Sequence, residues 1–158
     1  YTEHLEAAHQ VLSKETKLNL RIAGIIKAHI DVASPYQDVS RALFRVAADP
    51  THALSPFSEE SKPLRDQNIQ LFGEAVEGAS DKVPAALKAR LPELFWLYKI
   101  LIIIYWVFDD SPKQKKTYGL IDRSTDALVK MIALAKLPGV NKMTDQVLNV
   151  LDEFKVYK

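Results

Sequence analysis

An all-α fold is predicted by three features of the sequence. Apolar residues recur three and four positions apart along almost the whole chain, no clean period-two alternation of Val, Thr and Tyr appears, and Ser34-Pro35 and Ser111-Pro112 look like helix starts. About seven helices in a bundle follow from this periodicity. With 158 residues and no linker, repeat or low-complexity tract, one core over 1–158 is expected.

The first helix spans about Thr2 to Leu12, with Leu5, Ala8, His9 and Leu12 on one face, and Ser13-Lys14 interrupts it. Next, Leu18, Ile22, Ile25, Ile26, His29, Ile30 and Ala33 form one stripe, with Arg21, Lys27 and Asp31 opposite. Ser34-Pro35-Tyr36-Gln37 and Ser111-Pro112-Lys113-Gln114 each offer a Ser N-cap, a Pro at the first helical position and a Gln placed to reach back. The third helix therefore covers about 36–48, packing Val39, Leu43, Val46 and Ala47, and stops at Asp49-Pro50 because the residue before proline avoids the α region. A serine- and proline-bearing loop follows to Ser61. Pro63 fits only a first turn, so the fourth helix begins at Ser61 or Lys62 and runs to Gly78, turning Leu64, Asn68, Leu71, Phe72, Ala75 and Val76 inward. The fifth extends from Val83-Pro84 to Asp109 and is kinked or divided at Pro92. The sixth runs from Pro112 to about Lys136, closed by Pro138-Gly139, and the seventh from about Lys142 to Phe154.

Composition excludes whole classes of function. There is no cysteine, hence no disulfide, thiolate metal site or cysteine nucleophile. A formal charge of +1, from 21 Lys+Arg against 20 Asp+Glu, argues against nucleic-acid binding by this chain itself, since neutralising phosphates demands a basic face. No glycine-rich phosphate loop, Gly-x-Ser-x-Gly elbow or His-Glu-x-x-His helix is present, so no enzyme activity, catalytic residue or cofactor is expected. His4 and His9 stand five apart, a poor metal spacing, and read as a solvated pair; no metal site is expected. Asp109-Asp110 reads as a turn, and Lys113, Lys115 and Lys116 as a solvated face.

The most apolar segment, Leu94 to Phe108, reads LFWLYKILIIIYWVF. It is shorter than the roughly 20 residues a membrane crossing needs, contains Lys99 and is bracketed by Glu93 and Asp109-Asp110, so a helix buried on all sides is expected. Leu94, Leu97, Leu101, Ile104, Tyr105 and Phe108 share the face opposite Lys99; Trp96, Ile103, Trp106 and Val107 lie on Lys99's side. We assign the first face to the chain's own core and the second, with Lys99 snorkelling to the rim, to a subunit interface. The competing reading covers the Trp face with the chain's own helices. The following helix shows a broad stripe of Leu120, Ile121, Ser124, Leu128, Met131, Ile132 and Ala135, with Asp122, Asp126 and Lys130 on its wet side. Two such helices pairing with their symmetry mates make a four-helix interface, so a two-fold homodimer is expected through Trp96, Ile103, Trp106, Val107, Ile121, Leu128 and Ile132. His29 is either a core histidine bonded to a carbonyl or a group pointing into a ligand pocket, and the phenols of Tyr98 and Tyr105 leave the same two alternatives.

The order of helices, the Trp96–Trp106 run ending in Asp-Asp-Ser-Pro, the charged amphipathic helix after it and the Leu137-Pro138 break resemble the effector-binding and dimerisation region of tetracycline-repressor (TetR) family transcription regulators. Leu43 to Phe72, with the Asp49-Pro50 break and the Ser55–Ser61 loop, is similar to a subset of that family. The resemblance implies a bacterial, cytoplasmic homodimer whose interface comes from the helices near 84–109 and 112–136. It also implies a pocket for a small hydrophobic or aromatic effector, lined by His29, Phe44, Phe72, Leu101 and Tyr105, to which Tyr98 is added. Family members reach DNA through a preceding helix-turn-helix; none precedes Thr2, and the start at Tyr1 rather than Met suits the remainder of a longer chain. The alternative is a helical protein-interaction or hydrophobic-ligand carrier domain unrelated to DNA.

Overall fold

A computed structural model describes residues 2–135 and the isolated positions 146, 149, 150 and 153. Among the described residues all regular structure is helical: α1 (Thr2–Lys14), α2 (Leu18–Ala33), α3 (Gln37–Ala47), α4 (Lys62–Glu77), α5 (Ala85–Lys88), α6 (Leu91–Val107) and α7 (Lys115–Leu134). The expected roster is slightly off. Pro92 takes the first turn of α6, where its missing N–H is harmless, and so divides the expected fifth helix into a one-turn α5 and a long α6. The helix expected over 142–154 falls almost wholly outside the described residues.

Helix α2 is the centre of the bundle, packed on α1, α4, α6 and α7. Its Ile22, Ile25, Ile26 and Ile30 are fully buried and meet Leu71 and Phe72 of α4, Phe95, Trp96, Ile102 and Trp106 of α6 and Ile121 of α7 in one core. The α1–α2 crossing is close because position 24 is glycine: a Cβ there would stand 2.3 Å from Val11 Cγ1. Gly24→Ala should therefore cost about 1–3 kcal/mol despite its gain in helix propensity. Chemical denaturation checks this, and adding Val11→Ala should return much of the loss.

Arg21, expected on the outer side of α2, is buried instead. Its guanidinium donates to the carbonyls of Leu12, Glu15, Glu74 and Ala75 at 2.7–2.9 Å, closing the C-terminal ends of α1 and α4 together. The start of α2 is capped from a distance, the Leu18 amide donating to Asp81 at 2.7 Å. Lys27 pairs with Asp122 at 2.6 Å, and the Tyr118 hydroxyl donates to Asp31, so the outer edge of α2 is tied to α7.

The Ser-Pro segments do not form the expected capping boxes. Each makes a short 3₁₀ turn, Ser34–Tyr36 and Pro112–Gln114, and the two glutamines bond across to other parts of the chain. Gln37 Nε2 donates to the Trp106 and Asp109 carbonyls at 2.7 and 3.0 Å, Gln114 Nε2 donates to Gln37 Oε1, and Ser34 Oγ donates to Gln114 Oε1. With Arg41 on the Val107 carbonyl, the polar side of α3 closes the end of α6. That corrects α3: Val39, Leu43 and Val46, expected to pack inward, are exposed, because the side of the helix with hydrogen-bonding work to do is the polar one.

Asp109 starts α7. Its carboxylate accepts from the Thr117 amide and hydroxyl at 2.8 and 2.6 Å and from the Ser111 amide at 2.9 Å, bridging a turn in which Lys113 and Gln114 are left-handed at φ 55° and 48°. Burial pushes this carboxyl up, and the Thr117 and Ser111 bonds more than reverse that, holding it down at about 2. A depressed carboxylate stabilises the fold above its unfolded value near 4, and the contribution fades as pH falls toward 2. Asp109→Asn is expected to lower stability by about 1–2 kcal/mol at pH 7, as for a lost cap, with the gap to wild type narrowing below pH 4. Thermal unfolding across that pH range measures it.

The largest correction concerns α6. Trp96, Trp106 and Val107 face the chain's own core, as does Lys99, while Leu101, Ile104, Tyr105 and Phe108 are exposed. The faces are inverted relative to expectation. Burying two indoles, roughly 150–250 Å² each, outweighs one lysine that finds partners inside. Ile121 of α7 is likewise fully buried. No helix among the described residues is long and apolar enough to cross a membrane.

Candidate functional site

Four helices each send one polar side chain into the same buried region: His4 from α1, His29 from α2, Asn68 from α4 and Lys99 from α6. The Lys99 ammonium, only 3% exposed, donates to Asn68 Oδ1 at 2.6 Å and lies 3.5 Å from His4 Nε2. The His4 and His29 rings meet edge to face with centroids 4.8 Å apart. Asn68 is held by its own backbone, Nδ2 donating to the Leu64 carbonyl one turn earlier at 2.7 Å, which aims Oδ1 at the ammonium.

The local sequence explains why each residue points inward. Asn68 shares a helix face with Leu71, Phe72 and Ala75, and Lys99 shares one with Phe95, Ile102 and Trp106. His29 follows Ile25 and Ile26 by one turn, and His4 precedes Ala8 by one turn. Each member is a polar residue on a largely apolar stripe.

Burial sets the electrostatics. Lys99 is pushed down to about 7 by desolvation. His4 falls to about 4, through burial first and the neighbouring Lys99 charge second, against an opposing hydrogen bond to Asn68. His29 lies well below 6.5 for the same two leading reasons. At neutral pH both imidazoles are thus uncharged, and the ammonium is poised between its forms. No carboxylate among the described residues pairs with it, and none of them form a group of three or more acidic or histidine side chains suited to a metal ion.

Of the residues expected in a pocket, His29 is in this cluster and Phe72 is fully buried one turn beyond Asn68, its ring 6.1 Å from Phe95. The others lie elsewhere. Phe44 packs edge to face on Phe108 at 5.0 Å, near the end of α6. Tyr98 joins α6 to α7, its hydroxyl 2.6 Å from Ser124 Oγ and 3.3 Å from Thr125 Oγ1. Leu101 and Tyr105, expected inward, are 65% and 43% exposed. Sequence reasoning missed His4, which is buried while His9 stays outside, its Nε2 donating to Glu74 Oε2 at 3.2 Å. It also placed Lys99 at a rim and Asn68 merely inward. The signal was the lone polar residue on an apolar stripe, repeated on separate helices.

Outside the cluster, the outward side of α6 and α7 carries a large apolar surface. Leu101, Ile104, Tyr105 and Phe108 of α6 and Met131 and Leu134 of α7 are exposed. Of the residues expected at a subunit interface, Ile103, Leu128 and Ile132 are half-buried, whereas Trp96, Trp106, Val107 and Ile121 are covered by the chain itself. An open groove of about 810 Å³ runs beside this surface, lined by Tyr105, Pro112, Lys115, Lys116, Leu120 and Arg123 among others.

A family model described as "Tetracyclin repressor-like, C-terminal domain" matches residues 21–149, which include His29, Asn68 and Lys99. No curated protein matches the chain at a significant level.

Proposed function

Because the chain belongs to this family of tetracycline-repressor-like C-terminal domains, we propose that it is the ligand-sensing and homodimerisation part of a transcription regulator. The observation that carries the reading is the second apolar face of α6. Its inner face is fully occupied by the core, yet Leu101, Ile104, Tyr105 and Phe108 still project outward, and Met131 and Leu134 of α7 are exposed as well. A monomer seldom leaves one face of a helix so apolar, and two antiparallel helices can cover such faces by pairing with their symmetry mates.

In this reading the dimer helices are those the sequence nominated, with the outward residues of α6 at the interface. Trp96, Trp106, Val107 and Ile121 support the interface from behind rather than crossing it. Sensing is assigned to the four-helix meeting point at Lys99. A ligand there acts by binding one arrangement of the helices better than another, since equal affinity for both shifts nothing. DNA is reached through a helix-turn-helix outside these 158 residues, which accords with a net charge of +1. No residue is assigned a catalytic role.

Sedimentation of the chain at micromolar concentration tests the dimer: a mass twice 17.8 kDa is expected, and a monomer sinks the proposal. Coupling to DNA is tested separately, in the full-length regulator. An operator affinity that ignores every ligand bound by the domain would leave a helical carrier as the better reading.

A further inference from the structure

We propose that Lys99 anchors an acidic effector, an apolar body bearing one carboxylate, held where α1, α2, α4 and α6 meet. This rests on the reading of that cluster as the effector site and adds the chemical class of what it binds.

The cluster holds a cation with no anion. An ammonium has three donors; one goes to Asn68 Oδ1, His4 Nε2 lies at 3.5 Å, and no described carboxylate reaches the ammonium. Burying a charge without a counter-charge is unfavourable, and the usual remedies are an ion pair or loss of the proton. Further polar capacity faces the same region. The His29 ring meets His4 edge to face beside Lys99. An anion gains from the Lys99 ammonium; a cation is repelled by it, and a neutral ligand leaves it uncompensated.

The surroundings choose the rest of the molecule. Ile25 and Ile26 precede His29 by one turn, Phe72 follows Asn68 by one turn, and Phe95 and Ile102 flank Lys99, all of them buried. A small hydrated ion would be desolvated there with only one charge to meet it, whereas an acid with an apolar body also gains from burial. Because Lys99 and His4 are closed off from water, an acid that reaches them selects a more open arrangement of the four helices. That is the differential affinity a sensor needs.

The ionisable groups facing Lys99 make the prediction pH-dependent in one direction. From α1 and α2 come His4 and His29, both depressed far enough to stay neutral above pH 7; from α4 comes uncharged Asn68, with Arg65 turned away onto the Pro56 and Ser58 carbonyls. The buried polar residues of α7 are Thr117 and Thr125. Of these groups it is Lys99 that lies near 7. It must be protonated to hold the carboxylate, so affinity should fall by up to about tenfold per pH unit above 7.

The experiment titrates the 158-residue chain with sodium dodecanoate, dodecan-1-ol and inorganic phosphate, followed by calorimetry and by the nitrogen NMR shift of the Lys99 ammonium. Dodecanoate is expected to bind at least tenfold more tightly than the alcohol and to lose that advantage with rising pH. Lys99→Met, which removes a buried charge at nearly constant volume, should bind acid and alcohol alike. If the variant does not fold, the pH dependence of the wild-type chain decides. Equal binding of acid and alcohol, with the Lys99 and His29 signals shifting for both, would overturn the acidic class and leave the site standing. Millimolar phosphate displacing dodecanoate would overturn the apolar body. If no probe moves those signals, the inference and the assignment of the cluster as the effector site both fall.

Discussion

Trp106→Ala is expected to lower the unfolding free energy by about 3–5 kcal/mol while leaving self-association intact under conditions where the variant is folded. The indole is 1% exposed and belongs to the central core with Ile102 of its own helix and the isoleucines of α2. Removing it takes away the transfer free energy of a large aromatic side chain and leaves a cavity that rigid helices close only in part. Its Nε1 has no hydrogen-bond partner, so Trp106→Phe deletes no bond and should cost far less than the alanine. Chemical denaturation gives the stability and sedimentation of the folded fraction the association. A dimer that dissociates while each subunit keeps its stability would return Trp106 to the interface where the periodicity alone had placed it.

The complementary change is Leu101→Glu. With Leu101 65% exposed on the outer face of α6, a carboxylate there should leave the stability of an isolated subunit within about 0.5 kcal/mol of wild type. In the proposed dimer the same residue would enter the interface twice, once from each subunit, and bring two like charges into an apolar seam. Stranding an unpaired charge in an interface costs about 2–5 kcal/mol, so dissociation should rise by on the order of 100-fold or more. Sedimentation equilibrium over a concentration series reads the shift. Unchanged association would show that this face of α6 is not the interface, and Met131→Glu on α7 would then ask whether the partner sits further along the surface. The two substitutions form a pair, one inner and one outer residue of a single helix, with opposite expected effects on stability and association.

Much of the fold was legible because helical periodicity is local. The boundary at Asp49-Pro50, the start of α4 beside Pro63 and the division at Pro92 follow from what a pyrrolidine ring does to its own φ and to the residue before it. The stripe of α2 was legible for the same reason, down to His29 lying on it. The Ser-Pro segments show where local reasoning fails. Gln37 and Gln114 have the spacing of a capping box, but the fold brings the Trp106 and Asp109 carbonyls at the end of α6 within reach of Gln37, and Gln114 bonds to Gln37 in turn.

The candidate site was legible only in pieces. His29 stood out as a polar residue on an apolar stripe, but Asn68 was read merely as inward, Lys99 as lying at a rim and His4 as solvated, and nothing in the spacing joins residues 4, 29, 68 and 99. Their meeting depends on how α1, α4 and α6 pack around α2.

By itself the sequence determined the all-helical class, most helix boundaries, the resemblance to the regulatory family and the presence of two apolar faces on α6. Only the tertiary structure decided which of those faces is inside. A helix apolar all round carries no inward signal in its periodicity, since both of its faces gain hydrophobic free energy on burial. The two indoles bring the larger area to bury, and Asn68 and His4 on other helices receive the ammonium that comes with them, which lowers the cost of taking Lys99 inside.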